Sequence, residues 1–172
     1  MKPSLKPSNP NFSSGPCSKR PGYCIENLDI SALGRSHRSE VGKSLLRRVC
    51  EETAELLNLP SSYRVGVVPA SDTGAFEMAM WSMLGERPVD LCAWESFGKG
   101  WIKDAIDQLK LTDFSLFEAD YGDLPPLAST NSENDIVFTW NGTTSGVRVP
   151  DADWISHDRK GLTFCDATSA VF

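Results

Sequence analysis

The sequence predicts an α/β fold, a mostly parallel β-sheet flanked by helices. Three observations predict it. Short runs rich in β-branched and aromatic residues fall at 63–68, 89–94, 114–117, 136–140 and 161–165. Between them lie segments whose apolar residues recur at helical spacing, around 40–58, after Gly74, and at 101–109. Several of the strand runs stop in polar, glycine-containing loops, where an α/β sheet collects its ligands.

In chain order, residues 1–22 are rich in Pro, Ser, Asn and Gly, which predicts an extended arm with turns. Within it, Phe12-Ser-Ser-Gly-Pro-Cys is either a loop that touches a site or an ordered lead-in. Gly34-Arg-Ser-His-Arg-Ser-Glu sets two arginines and a histidine directly before a helix at 40–58, with Ser36 or Ser39 able to cap it. Cations at a helix N-terminus oppose its dipole. Two readings are open there: a solvated basic turn, or cations that hold an anion.

The stretch 63–84 reads as strand, polar turn and helix. Val65, Val67 and Val68 suit a strand, and Pro69 ends it for want of an N–H. Ser71-Asp-Thr-Gly74 offers side-chain oxygens to cap the next helix, and Gly74 permits close backbone approach. Phe76, Ala79, Met80, Met83 and Leu84 form that helix's apolar face. This is either one more βα unit or an anion site built on free amides. A strand at 89–94 follows, then a glycine loop at 95–100, a helix at 101–109, a strand at 114–117 and a loop at 120–133. The strand at 136–140 ends in Asn141-Gly142, and the last strand, 161–165, ends in Asp166. Asp166 is read either as a loop or capping carboxylate or as a buried acid, which would need a cationic partner.

The totals exclude several classes. With 172 residues, 40% hydrophobic and 23% charged, the chain has the composition of an ordinary globular domain. A net charge of -6 and a pI near 4.9 argue against a nucleic-acid surface. No apolar run approaches the roughly 18 residues of a membrane span, and the N-terminus lacks the apolar core of a secretory signal. The five cysteines are scattered without a C-x-x-C, so a reducing cytoplasm is expected rather than a disulfide framework or a zinc site. His37 and His157 have no paired ligands nearby in sequence. The glycine fingerprints of dinucleotide and P-loop sites and the G-x-S-x-G elbow are all missing.

Five segments in order resemble the phosphoserine aminotransferase family, fold-type-I enzymes dependent on pyridoxal 5'-phosphate. They are Gly34-Arg-Ser-His-Arg-Ser, Ser71-Asp-Thr-Gly-Ala, Trp94-Glu-Ser-Phe-Gly, Phe138-Thr-Trp-Asn-Gly-Thr-Thr-Ser-Gly-Val-Arg-Val-Pro and Cys165-Asp-Ala-Thr-Ser. The resemblance implies that Asp72 and Thr73 hold the cofactor phosphate and that Phe97, usually tryptophan in the family, stacks on the ring. It further implies that Thr143 contacts the cofactor, that Asp166 pairs with the pyridinium nitrogen, and that His37 and Arg38 meet the substrate anion. The implied reaction moves an amino group between glutamate and 3-phosphohydroxypyruvate, giving phosphoserine and 2-oxoglutarate, in a cytoplasmic homodimer on the serine pathway.

Two departures accompany the resemblance. Many members carry a glycine-rich phosphate loop with an arginine, where this chain has Ser-Asp-Thr-Gly. The family's Schiff-base lysine lies about one strand beyond Asp166, and Lys99, Lys110 and Lys160 do not match it. The chain is therefore expected to be an N-terminal fragment, inactive alone, with 1–22 an arm and 23–172 an incomplete cofactor-binding large domain lacking the small domain. The alternatives are a non-catalytic binding or dimerisation module of the same fold, and a related aminotransferase with another amino-acid substrate.

Overall fold

The computed structural model of the protein describes residue 19 and residues 21–171, and the chain divides into two compact units, Met1–Val67 and Val68–Phe172. The predicted arm at 1–22, with Phe12 to Cys17, lies almost wholly outside the described residues.

In the first unit a single 3-10 turn, Ile25–Asn27, precedes helix α1, Glu40–Leu56. Ser39 caps α1 by accepting from the Gly42 amide at 3.1 Å, while the Ser36 hydroxyl accepts from the Arg38 amide at 3.1 Å. Gly42 is needed there, since a Cβ would come within 2.6 Å of the Ser36 carbonyl oxygen. The helix stops two residues short of the predicted 58, and Asn58 takes a left-handed φ of 50°. None of its residues is buried.

The run 63–68 is not a strand. Its valines favour extended backbone, but a strand exists only where a neighbour supplies the hydrogen-bond ladder. No strand pairs with this run among the described residues, and Val67 is exposed.

The second unit carries the sheet. Helix α2, Ser71–Met83, is followed by β1, Val89–Ala93, helix α3, Ser96–Lys103, and β2, Phe114–Glu118. Strands β3, Asp135–Thr139, and β4, Thr163–Asp166, complete it. The four strands are all parallel in the order β2-β1-β3-β4, as the alternation of elements predicts. The predicted glycine loop at 95–100 is instead the start of α3. Glu95 caps it by accepting from the Gly98 amide at 2.7 Å, and burial of Trp101 and Ile102 offsets the cost of two glycines, about 1 kcal/mol each. The predicted helix at 101–109 loosens into a π-helical turn over Asp104–Gln108.

Side-chain alternation splits the core between the two faces of the sheet. Val89, Leu91, Ala93, Val137 and Phe164 pack with Met80 of α2 and with Trp101 and Ile102 of α3. On the other face, Cys92, Trp94, Ile136 and Phe138 pack with Leu127, Val149 and Trp154 from the loops. Met83, predicted on the apolar face of α2, is exposed instead.

Buried carboxylates fasten the amino-terminal edge of the sheet. Asp90 accepts from the Asn131 amide at 2.6 Å and from Asn134 Nδ2 at 2.8 Å. Asp135 accepts from the Leu162 amide at 2.7 Å, with Arg87 at 3.7 Å. The carboxyl-terminal edge is left for the loops. Strand β2 lies on one side of β1, and β3 and β4 on the other, so the order of strand addition reverses between β1 and β3. A ligand crevice is expected at such a point.

Candidate functional site

A cavity of about 240 Å³ opens at that carboxyl-terminal edge. It is lined by Asp72 from the start of α2, Phe97 from the start of α3, and Thr139 at the end of β3. Asn141 and Thr143 come from the loop after β3, and Asp166, Thr168 and Ser169 from the end of β4. The sequence-predicted Asp72, Phe97, Thr143 and Asp166 thus share one cavity. Thr73 lies in the first turn of α2 but does not line it. His37 and Arg38 lie in the first unit, exposed in the turn before α1.

Each wall has a local cause. At α2 the N-cap position is Ala70, with φ of 70° and no capping side chain, so the predicted cap by Ser71, Asp72 or Thr73 does not form. The first turn of any α-helix has amides without intrahelical acceptors. Here Gly74 is the first residue whose amide finds one, the Ala70 carbonyl at 2.9 Å. A Cβ on Gly74 would fall 2.6 Å from the Pro69 carbonyl oxygen, which is the close approach expected of this glycine. Phe97 presents a half-exposed ring to the cavity.

Asp166 is half-buried, and its partners are neutral donors rather than a cation. Trp101 Nε1 donates to its Oδ2 at 3.0 Å, while the Thr168 amide and hydroxyl donate to its Oδ1 at 3.0 and 2.6 Å. Three donors from two residues relieve part of the cost of its partial burial. Oδ1 already accepts twice, so the acceptor capacity left for a ligand is on Oδ2. In the opposite loop, Asn141 Nδ2 donates to Thr143 Oγ1 at 3.3 Å, and Thr143 Oγ1 donates to Ser169 Oγ at 3.2 Å.

Sequence reading missed Thr139, Thr168 and Ser169. Thr139 is buried, and its Oγ1 has no hydrogen-bond partner among the described residues although the residue lines the cavity. Such an orphaned hydroxyl is costly unless a ligand completes it. In sequence it looks only like a strand former. Thr168 and Ser169 follow Asp166 directly, and their place in a polar turn after a strand was the available signal.

The donor set suits pyridoxal 5'-phosphate: amides at a helix start for a phosphate, an exposed aromatic face for a ring, and an oriented carboxylate for a ring nitrogen. Among the described residues, no lysine or arginine lines the cavity. A second cavity adjoins it through Asn141, Thr143 and Ser169, and there Arg148 is present, anchored to the Val149 and Pro150 carbonyls at 3.1 Å each.

No known protein-family profile matches the chain. Among known proteins, it is 60% identical over all 172 residues to a phosphoserine aminotransferase of Methanosarcina barkeri, covering 46% of that protein. The same figures hold for a phosphoserine aminotransferase of Methanosarcina mazei. Among solved structures, a phosphoserine aminotransferase from Cytophaga hutchinsonii matches with a TM-score of 0.71 and 28% identity, over 82% of this chain and 41% of that one. The chain spans about half the length of the curated relatives it matches. Matched along its whole length in sequence and over most of it in fold, the chain is a homologue of the phosphoserine aminotransferases over about half of their length.

Proposed function

We propose that the second unit is one wall of the pyridoxal 5'-phosphate site of an aminotransferase that exchanges an amino group between glutamate and 3-phosphohydroxypyruvate. One observation carries this reading. Four chain segments far apart in sequence bring Asp72, Phe97, Thr143 and Asp166 around one cavity, which Thr139 also lines, its buried hydroxyl without a partner among the described residues.

The bound cofactor would supply an electron-accepting ring. The chain's own residues would bind and orient it. The free amides at the start of α2 would donate to a phosphate, with Thr73 in the same turn. Phe97 covers a ring face, and Thr143 offers a hydroxyl. Asp166, held by Trp101 and Thr168, would keep a proton on the ring nitrogen, since a carboxylate favours the charged form of a cationic neighbour. His37 and Arg38 are proposed to meet the substrate anion, where a guanidinium fork suits phosphate or carboxylate.

Fluorescence titration with pyridoxamine 5'-phosphate, which cannot react with stray lysines, tests the site. Saturable binding is expected, lost when pyridoxamine without its phosphate is used. Equal binding of the two, or none, overturns the reading. Because no lysine among the described residues lines the cavity, the chain alone is expected to show no transamination of phosphoserine above the rate of free cofactor.

An association role is supported by a separate observation: Val41, Leu46, Val49 and Leu56 of α1 are exposed, which favours a homodimer. Sedimentation equilibrium tests this, and a strictly monomeric chain would remove it.

A further inference from the structure

Glu95 is a fully buried carboxylate at the end of β1. Burying a carboxylate costs several kcal/mol unless its oxygens are satisfied, and a surface helix cap needs no such burial. Both oxygens are in use, and in different segments. Oε1 accepts from the Gly98 amide at 2.7 Å, which fixes the first turn of α3 and with it Phe97. Oε2 accepts from Thr144 Oγ1 at 3.0 Å, and that hydroxyl in turn accepts from Ser96 Oγ at 3.4 Å.

Thr144 sits next to Thr143, in the loop that forms the facing wall of the cavity. The loop also leans on Glu95 sterically: a Cβ on Gly142 would come 2.8 Å from Glu95 Cγ and 3.0 Å from Trp94 Cδ1. One carboxylate therefore touches two of the four segments that present cavity residues, without lining the cavity itself.

We propose that Glu95 is a positioning residue that sets the spacing between Phe97 and Thr143, and so the width of the slot that receives a planar ring. The proposal rests on the reading of the cavity as a pyridoxal phosphate site. It distinguishes the two bonds of Glu95: the bond to Gly98 supports α3, and the bond to Thr144 supports the loop.

Thr144→Val removes the second bond, keeps the shape of the side chain, and leaves the cap of α3 in place. Amide hydrogen exchange and pyridoxamine 5'-phosphate titration are measured on wild type, Thr144→Val, Thr144→Ser and Glu95→Gln. In Thr144→Val, exchange at 141–146 is expected to quicken about tenfold while exchange in α3 stays unchanged, and ligand affinity is expected to fall about fivefold. Thr144→Ser keeps the hydroxyl and should restore both. Glu95→Gln leaves only one acceptor oxygen and should quicken exchange in at least one of the two segments. Unchanged exchange at 141–146 in Thr144→Val overturns the proposal, as does equal quickening in both segments, which reports general instability. If wild type binds no pyridoxamine 5'-phosphate, the cofactor reading fails, and the exchange comparison alone decides whether Glu95 sets the loop.

Discussion

Trp101 Nε1 donates a hydrogen bond to Asp166 Oδ2 at 3.0 Å, joining α3 to the end of β4 across 65 residues of sequence. Trp101 is also core, packed against the Phe76 ring with centroids 4.7 Å apart. The same indole thus buries apolar area and aims a carboxylate. Trp101→Phe keeps an aromatic ring and removes the donor. It is expected to lower stability by about 2 kcal/mol, since hydrogen bonds to charged groups contribute roughly 1.5–3 kcal/mol. Urea unfolding checks the loss. A double-mutant cycle with Asp166→Asn separates the bond from lost packing, and a coupling energy near zero would remove the orienting role.

Asp72 is exposed at the start of α2, lines the cavity, and caps nothing. A carboxylate there is favoured by the helix dipole but repels an arriving phosphate. The two effects have opposite signs, so one substitution reads both. Asp72→Asn should tighten pyridoxamine 5'-phosphate binding about threefold while slightly lowering the melting temperature, the binding gain shrinking as salt screens the charge. Weaker binding in the variant would mean that Asp72 holds the ligand through its charge.

The parallel sheet was legible because strand formers and helical periodicity alternate in the second unit, and both signals are local. The site was legible where a residue stands at or just past a strand end, as Asp166, Phe97 and Thr143 do. Thr139 was not, because a hydroxyl without a partner becomes visible only when the packing around it is known. The errors have the same root. The valines at 65–68 carry strand propensity, but propensity cannot supply a neighbouring strand. The two glycines at 98 and 100 suggest a loop, yet a buried carboxylate cap and two buried apolar side chains hold them in a helix. Thr73 and Asp72 are adjacent in sequence, but only one of the two faces the cavity.

Gly74 reverses the usual helix rule. Ala in place of Gly inside a helix normally stabilises by about 1 kcal/mol. At Gly74 the added Cβ would lie 2.6 Å from the Pro69 carbonyl oxygen and 2.7 Å from Ala70 Cβ. Both belong to a turn in which Ala70 and Ser71 already hold left-handed φ values of 70° and 58°. Gly74→Ala is therefore expected to destabilise by about 1–3 kcal/mol, as overpacking does. Ala70→Gly should relieve strain and stabilise by a few tenths of a kcal/mol or more. Thermal unfolding of both variants checks the pair. A stabilised Gly74→Ala would show that the turn yields readily and that its shape is not fixed.

Cys92 links the core to pH. It is buried in β1, and burial foremost pushes its thiol from an ordinary 9.0 up to about 12, with Asp90 adding and Arg159 opposing. A folded-state value above the unfolded one means that the fold favours the neutral thiol. That contribution is complete below about pH 9 and is lost as pH rises from there through about 12, because the unfolded chain releases the proton first. Cys92→Ala removes the titration and leaves a small cavity, costing roughly 1 kcal/mol at neutral pH. Urea unfolding from about pH 8 to about pH 10.5 should show wild type losing stability faster than Cys92→Ala, so that the two curves converge and then cross. Parallel curves across that interval would mean that the thiol ionises as readily in the fold as in the unfolded chain, and that its burial carries no pH dependence.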